Sequence, residues 1–343
     1  MVKVGIVGAR GYTGEELINI FLKHSQAKIS YLTARVDAPT PISKIFPQVR
    51  NRLDVRCDNF DVAKAVKSCD VAFLALPHTT SMEVAPFLLK AGKKVIDLSA
   101  DYRIEDYKIY EAWYKVTHSD RAHIKSAVYG LPEINRAKIK KADFIANPGC
   151  YPTAAILSIA PLVRTRFCNL DTIIIDAKSG YSGAGRKSTD DSFIQEIKDN
   201  FKAYKVDVHQ HTPEINQELS KIAKKKINVT FVPHLLPVER GLIETIYIPL
   251  QKNPKAVTSH QIIEIYKKFY KDAPFVRIRN EGEIPQLRNV QHTNFCDIGV
   301  KVSEDKKLII IISSIDNLLK GASGQAVQNM NLMYGFKETE GLL

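Results

Sequence analysis

The chain has 343 residues, 45% of them hydrophobic and 25% charged. That length predicts two domains, and the composition excludes disordered and fibrous chains. Lysine and arginine outnumber aspartate and glutamate by 49 to 37, a formal charge of +12, which suits an anionic partner: nucleic acid, an acidic protein or a phosphorylated small molecule. The basic residues are dispersed and there is one tryptophan, so no basic stripe with interleaved aromatics favours nucleic acid.

The N-terminus, MVKVGIV, reads as a buried strand rather than a signal peptide. Apolar runs such as 308–312 fall far short of the roughly 20 residues a membrane span needs. No membrane partner and a cytoplasmic setting are expected. A strand at 4–7 is followed by a helix at 15–23, with Leu17, Ile18, Phe21 and Leu22 on one face. Strands at 29–33, 71–76 and 95–98 and a helix at 81–90, stopped by Gly92, continue the alternation. This rhythm predicts an α/β fold, a doubly wound parallel sheet.

Between the first strand and first helix lies GIVGARGYTG, with glycines recurring at Gly5, Gly8, Gly11 and Gly14. A tight turn there brings backbone N–H groups to a pyrophosphate, and the helix N-terminus adds positive potential. The spacing from Gly8 is GxxGxxG, not the standard GxGxxG. Its place in a strand–turn–helix nevertheless favours binding over a plain turn. Gly8, Arg10, Gly11, Tyr12, Thr13 and Gly14 are the cofactor candidates, with Pro77 after a later strand. The second strand ends Thr33-Ala34-Arg35, without the acidic residue that holds an NAD ribose. Arg35 and Arg10 instead suit a 2′-phosphate, so NADPH/NADP+ is expected; the alternative for Arg35 is a solvated surface charge.

The rhythm changes after Cys150. A helix at 152–163, a strand at 172–177 and a helix at 192–201 precede strands at 227–232, Leu242–Pro249, 275–279, 294–302 and 307–313. The turn at 303–306 is of hairpin size. Strands with little helix between them predict a largely antiparallel sheet in an α+β domain. An amphipathic helix at 321–334 is expected to return to the first domain. The predicted domains are 1–149 with 314–343, and 150–313.

Of five cysteines, an odd number with no CxxC pair, none suggests a disulfide framework, and no metal is expected. Cys150, in Asn147-Pro148-Gly149-Cys150-Tyr151-Pro152-Thr153, is presented by a sharp turn at a helix start. That position favours the thiolate, the nucleophile of acyl transfer, and backbone N–H groups around it can form an oxyanion hole. The other four cysteines read as small buried hydrophobes. In His209-Gln210-His211-Thr212-Pro213-Glu214, the carboxylate follows His211 by three residues and can orient its imidazole in a first helical turn. His211 is thus the expected acid/base, with His209 pointing elsewhere to bind a substrate anion, although the spacing does not exclude the reverse. Ser179–Arg186 and Asp316–Gly324 are ligand-facing turns or ordinary ones. From them Ser182, Gly183 and Asn317 are cofactor candidates and Arg186 a substrate candidate; outside them Arg103 and Tyr204 are further substrate candidates.

Several segments together resemble the N-acetyl-γ-glutamyl-phosphate reductase family: GYTG at 11–14, LPH at 76–78, DLSADYR at 97–103 and GLPE at 130–133 in the first half. NPGCYPT at 147–153, SGYSGAGR at 179–186, HQHTPEI at 209–215, PHLLPVERG at 233–241 and DNLLKGASGQAVQN at 316–329 extend it over essentially the whole chain. The resemblance implies a Rossmann-type domain joined to an α+β catalytic domain like those of glyceraldehyde-phosphate and aspartate-semialdehyde dehydrogenases. It implies NADPH-dependent reduction of an acyl-phosphate substrate, N-acetyl-γ-glutamyl phosphate, to the semialdehyde through a thioester on Cys150, in arginine biosynthesis. Catalytic roles fall on Cys150, His211 and Glu214, and a homo-oligomer, dimer or tetramer, is implied. The rival readings are a reductase of carrier-protein-linked aminoadipyl or glutamyl phosphate, which the +12 charge also suits, aspartate-semialdehyde dehydrogenase, and a non-catalytic NADP sensor.

Overall fold

The computed structural model describes residues 1–186, 191–251 and 257–343. The chain divides into two compact units, Met1–Gly149 with Ala322–Leu343, and Cys150–Gly321.

In the first unit, strands β1 (Val2–Val7), β2 (Ala27–Thr33), β3 (Thr40–Pro41), β4 (Arg56–Asp58), β5 (Val71–Leu74), β6 (Lys94–Asp97), β7 (Val128–Tyr129) and β8 (Phe144–Ala146) form an eight-stranded sheet. Their order is β3-β4-β2-β1-β5-β6-β8-β7. Every ladder is parallel except β3 with β4. β5 is buried along its whole length, which is why it reads as an unbroken apolar run. From β1 the chain builds outward through β2 on one side and through β5 on the other, so the winding reverses between β1 and β5. A doubly wound sheet opens its ligand crevice at that reversal, beyond the strands' carboxyl ends.

The helices of this unit are α1 (Tyr12–Phe21), α2 (Ile42–Ile45), α3 (Val62–Ser68), α4 (Ala85–Lys90), α5 (Tyr107–Tyr114) and α6 (Pro132–Ile139), with a closing helix at Gly324–Met333. The helix expected at 81–90 is two pieces, a 3₁₀ turn at Ser81–Glu83 and then α4. Pro86 in the first turn of α4 has no N–H to continue the earlier turn. The short α3 and α5 escape an apolar-periodicity reading, yet Asp61 and Asp106 cap them through Lys64 N–H and Lys108 N–H.

The closing helix departs most from expectation. It begins at Gly324 and all ten of its residues are buried, so its polar positions do not face water. Asn329 Nδ2 donates to Gly130 O (2.8 Å) and Asn147 Oδ1 (3.1 Å), and Asn331 Nδ2 donates to the carbonyl oxygens of Glu338 and Glu340. Internal hydrogen bonding offsets the desolvation of these amides. The helix packs on α1 and α6, and Ser323 Oγ donates to Thr13 O (2.9 Å).

The second unit carries α7 (Cys150–Ile159), β9 (Ile173–Gly180), α8 (Asp191–Ile197), β10 (Lys202–Ala203), α9 (Thr212–Ala223), β11 (Val229–Leu236), β12 (Leu242–Pro249), α10 (Ser259–Phe269), β13 (Val276–Ile278), β14 (Cys296–Val302) and β15 (Leu308–Ile315). The seven strands run in the order β10-β11-β9-β12-β15-β14-β13. The sheet is mixed: β9 with β11 and β13 with β14 are parallel, and the other ladders are antiparallel. The expected run of consecutive strands is preceded by α9 and interrupted by α10. α10 announces itself by a reciprocal capping box between Thr258 and Gln261. α8 ends at Ile197 rather than continuing to Phe201, because Asp199 turns into the left-handed region (φ 57°); Phe201 is exposed.

Residues 314–321 lie with this unit rather than the first. β15 extends to Ile315 between β12 and β14, which fixes the segment that follows. Strands β11 and β12 alternate buried and less buried residues, the pattern of a sheet covered on one face. α7 packs on α9, β12 and β15 and is buried from Tyr151 to Ile159. Among the described residues no helix is long and apolar enough to cross a membrane.

Candidate active site

The glycine loop joins β1 to α1. Gly8 has φ +99°, and a Cβ there would overlap the Ala75 carbonyl; only glycine meets both conditions. A Cβ on Gly14 would meet Gly8 O at 2.5 Å and Ala9 Cα at 2.7 Å, so the helix seats directly on the loop. The N–H groups of Gly8 and Ala9 donate to Thr33 O (2.9 and 2.8 Å), tying the loop to the end of β2. α1 starts after Gly11 with no side-chain cap, and a helix N-terminus at a glycine loop suits an anion. Arg10 Nη1 donates to Arg35 O (3.3 Å), so these two exposed arginines stand together beside the loop. Pro77 follows β5, next to β1 across the reversal. These residues fit a dinucleotide phosphate.

The turn leading to Cys150 is braced inside the first unit. Arg103 Nε donates to Asn147 O (2.6 Å), Arg103 Nη2 to Leu98 O (2.7 Å), and Asn147 Nδ2 to Ala322 O (3.1 Å). Arg103 is buried, so this guanidinium, expected on the substrate, is engaged with backbone carbonyls. Nearby, Asp101 accepts N–H groups of Thr79 (2.7 Å) and Ser81 (2.9 Å) and shapes the loop after Pro77. Burial, helped by the charge of Asp101, pushes Asp97 up to about 7.

In the second unit Cys150 opens α7 and is half-buried, whereas Cys57, Cys69, Cys168 and Cys296 are buried. Burial pushes Cys57, Cys69 and Cys168 up to about 11, the behaviour of inert structural thiols. Beside Cys150, Tyr151 gathers the other predicted groups. Its ring lies edge-on to His209 (5.6 Å) and His211 (5.9 Å), and Tyr204 Oη donates to Tyr151 Oη (3.3 Å). Tyr151 Oη in turn donates to His234 O (3.2 Å). Burial lifts both phenols, Tyr204 to about 12 and Tyr151 well above its usual range. Both are therefore neutral donors at physiological pH.

His209 does not point elsewhere. Its ring is 4.8 Å from that of His211, and its Nδ1 accepts the His211 N–H (3.1 Å). Occupied in this way, Nδ1 places the proton of neutral His209 on Nε2. His209 is the more buried of the two; His211 is half-buried at the N-cap of α9, with Glu214 buried in the first turn. Ser182, Gly183 and Asn317 also come together: Asn317 Nδ2 donates to Ser182 Oγ (2.9 Å), and a Cβ on Gly183 would sit 3.8 Å from Asn317 Nδ2. Arg186 is exposed at the end of the same turn.

One buried acid escaped the sequence reading. Glu244 sits on β12 in register with Ala177 of β9 and Ser313 of β15, and it is fully buried. Among the described residues neither carboxyl oxygen, nor Ser313 Oγ, has a hydrogen-bond partner. Burial raises its pKa well above the ordinary carboxylate range, against the charge of Lys178. The signal was available, since Glu244 shares the inward register of Leu242, Ile246 and Ile248.

Residues 3–142 match the family described as semialdehyde dehydrogenase, NAD binding domain, and residues 150–317 the semialdehyde dehydrogenase, dimerisation domain. The chain is similar to N-acetyl-gamma-glutamyl-phosphate reductase of Pelotomaculum thermopropionicum, 46% identical over 99% of this chain and 97% of that protein. The same-named protein of Citrifermentans bemidjiense is 48% identical over 100% and 98%. Among solved structures, aspartate semialdehyde dehydrogenase II from Vibrio cholerae superposes with a TM-score of 0.74 at 19% identity, covering 98% of this chain and 99% of that one. Aspartate semialdehyde dehydrogenase with NADP from Candida albicans gives 0.69 at 17%, covering 97% and 98%. At such identities these structures establish the fold.

Glu244 yields a stability prediction. An unfolded Glu titrates near pH 4.3, and the folded value is higher. The folded state therefore binds more protons, and this group's contribution falls as pH rises from the unfolded value toward the folded one. Urea unfolding of Glu244→Gln from about pH 5 to 8 should give a variant increasingly more stable than wild type as pH rises. Parallel profiles would contradict a neutral Glu244.

Proposed function

Because the chain belongs to the N-acetyl-γ-glutamyl-phosphate reductase family of semialdehyde dehydrogenases, we propose that it reduces N-acetyl-γ-glutamyl phosphate to N-acetylglutamate 5-semialdehyde with NADPH, releasing phosphate, in arginine biosynthesis. The observation that carries the reading is Cys150, the half-buried cysteine among four buried ones, at the first residue of a helix and followed by Tyr151, whose ring lies against the paired rings of His209 and His211.

The helix N-terminus favours the Cys150 thiolate. Its Sγ attacks the acyl carbon, a C–S bond forms, and the C–O bond to phosphate breaks. His211, the more accessible imidazole and braced by His209, gives its proton to the departing phosphate oxygen. Tyr204 and the Tyr151–His209 pair wall the substrate side, and Arg186 offers a cation to the phosphate or carboxylate. In the first unit Gly8, Arg10, Gly11, Tyr12, Thr13 and Gly14 would hold NADPH, with Arg10 and Arg35 toward the 2′-phosphate and Pro77 as a further contact. Ser182, Gly183 and Asn317 are the second unit's cofactor candidates, and the cofactor when bound would supply the hydride that takes the thioester to the aldehyde level. Cys150 then leaves as the thiolate, freeing the semialdehyde. Glu214, buried behind His211, orients it.

The second domain's match to a dimerisation domain supports a homo-oligomer. Its less-covered sheet face, with Ile174 39% exposed, supplies apolar surface for one. A dimer or tetramer working in the cytoplasm is the corresponding proposal.

Cys150→Ser should lose turnover by at least about 10³-fold while NADPH affinity, read by fluorescence titration, is unchanged; near-normal turnover rejects the nucleophile. Arg35→Ala should lower the NADPH-over-NADH preference in kcat/KM by about 10-fold, a charge-assisted contact being worth roughly 1.5 kcal/mol. Equal preference before and after rejects the 2′-phosphate role.

A further inference from the structure

At the far end of the second unit the chain returns to Cys150. A Cβ on Gly321 would lie 2.7 Å from Cys150 Cβ and 3.2 Å from Cys150 Cα. Real side chains do not approach so closely, so the backbone at 321 is pressed against the nucleophile's own carbon skeleton. Gly321 is held by its N–H, which donates to Asp316 O (2.9 Å). Residues Leu319–Ser323 wind as a π-helix, a rare geometry found mostly at functional sites.

Asp316 is the anchor of this turn. It is fully buried. Its Oδ1 accepts Arg240 Nη2 (3.0 Å) and the N–H groups of Leu318 (2.9 Å) and Leu319 (3.1 Å). Its Oδ2 lies 2.8 Å from Arg240 Nε and accepts the His292 N–H (2.7 Å). Arg240 is itself buried, and next to it Gly241 N–H donates to Asn317 Oδ1 (2.7 Å). A buried ion pair gains little net stability over apolar packing. What a two-pronged pair does supply is a fixed geometry. Here that geometry sets the turn whose last residue touches Cys150.

We propose that Gly321, with the Arg240–Asp316 pair behind it, is a positioning device that sets where Cys150 stands. None of the three is asked to touch substrate. The inference deepens the proposed reaction and rests on Cys150 as its nucleophile.

The test uses Gly321→Ala, Asp316→Asn and Arg240→Lys in the full chain. Each is read by kcat, by KM, and by the pH profile of iodoacetamide alkylation at Cys150, mapped by mass spectrometry. A misplacement of about 1 Å costs roughly 10²-fold in rate. Gly321→Ala should therefore lower kcat by about that factor, with KM and NADPH affinity held within about two-fold and the alkylation profile displaced. Asp316→Asn and Arg240→Lys should shift both in the same direction, because lysine presents a single point charge where arginine spans both oxygens. A folded Gly321→Ala with normal kcat overturns the proposal. So does a fall in kcat with an unmoved alkylation profile, which marks a merely structural role. If Gly321→Ala does not fold, Asp316→Asn decides by the same two readouts. Full activity of Cys150→Ser would remove the nucleophile reading instead, and the alkylation profile reports the placement of Cys150 in either case.

Discussion

In the second unit Gly321 lies so close to Cys150 that a Cβ on the glycine would sit 2.7 Å from the cysteine's own Cβ. A nucleophile at the first residue of a helix gains from the helix N-terminus only if its backbone cannot drift. α7 is buried along the rest of its length and packs on two strands and α9, so it is a rigid carrier. Gly321 then limits Cys150 from the other side. The sheet supports this arrangement because β15, which delivers the 316–321 turn, pairs with β12 along eight residues.

The first unit obeys an analogous constraint at its own ligand loop. Gly8 and Gly14 permit a turn tight enough for α1 to seat directly on the loop. The turn before Cys150 is held by Arg103, Asn147 and Asn329 through bonds to backbone and amide groups. At the turn before Cys150, as at the Arg240–Asp316 pair, backbone is fixed by buried polar side chains instead of by apolar packing alone. Unpaired polar groups are costly in a core, so such networks have few alternative arrangements.

This explains what was legible in the sequence. Strand β12 was read at its observed limits, because alternating apolar residues are a direct record of a half-covered strand. The glycine loop and the turn at Cys150 were legible because glycine and proline state backbone needs locally. The closing helix was misjudged because Gln325, Gln328, Asn329 and Asn331 look like a wet face, and their partners are far away in sequence, at Gly130 and Asn147 among others. Arg103 shows the same dependence, since the carbonyls of Leu98 and Asn147 that its guanidinium serves are supplied only by the fold. The closeness of His209 and His211 depends on Tyr151, Tyr204 and Phe231, which no local spacing reveals. Glu244 was legible in register but not in consequence, since only its strand neighbours Ala177 and Ser313 show that it lacks a hydrogen-bond partner among the described residues.

The central claim is that Cys150 carries the acyl group. It is tested most directly by mixing the enzyme with N-acetyl-γ-glutamyl phosphate in the absence of reductant, quenching in acid and mapping the adduct by mass spectrometry. The account predicts one N-acetylglutamyl group per chain, on the peptide containing Cys150, discharged when NADPH is added before the quench. An unmodified Cys150 peptide under conditions where the same preparation turns over substrate would contradict it.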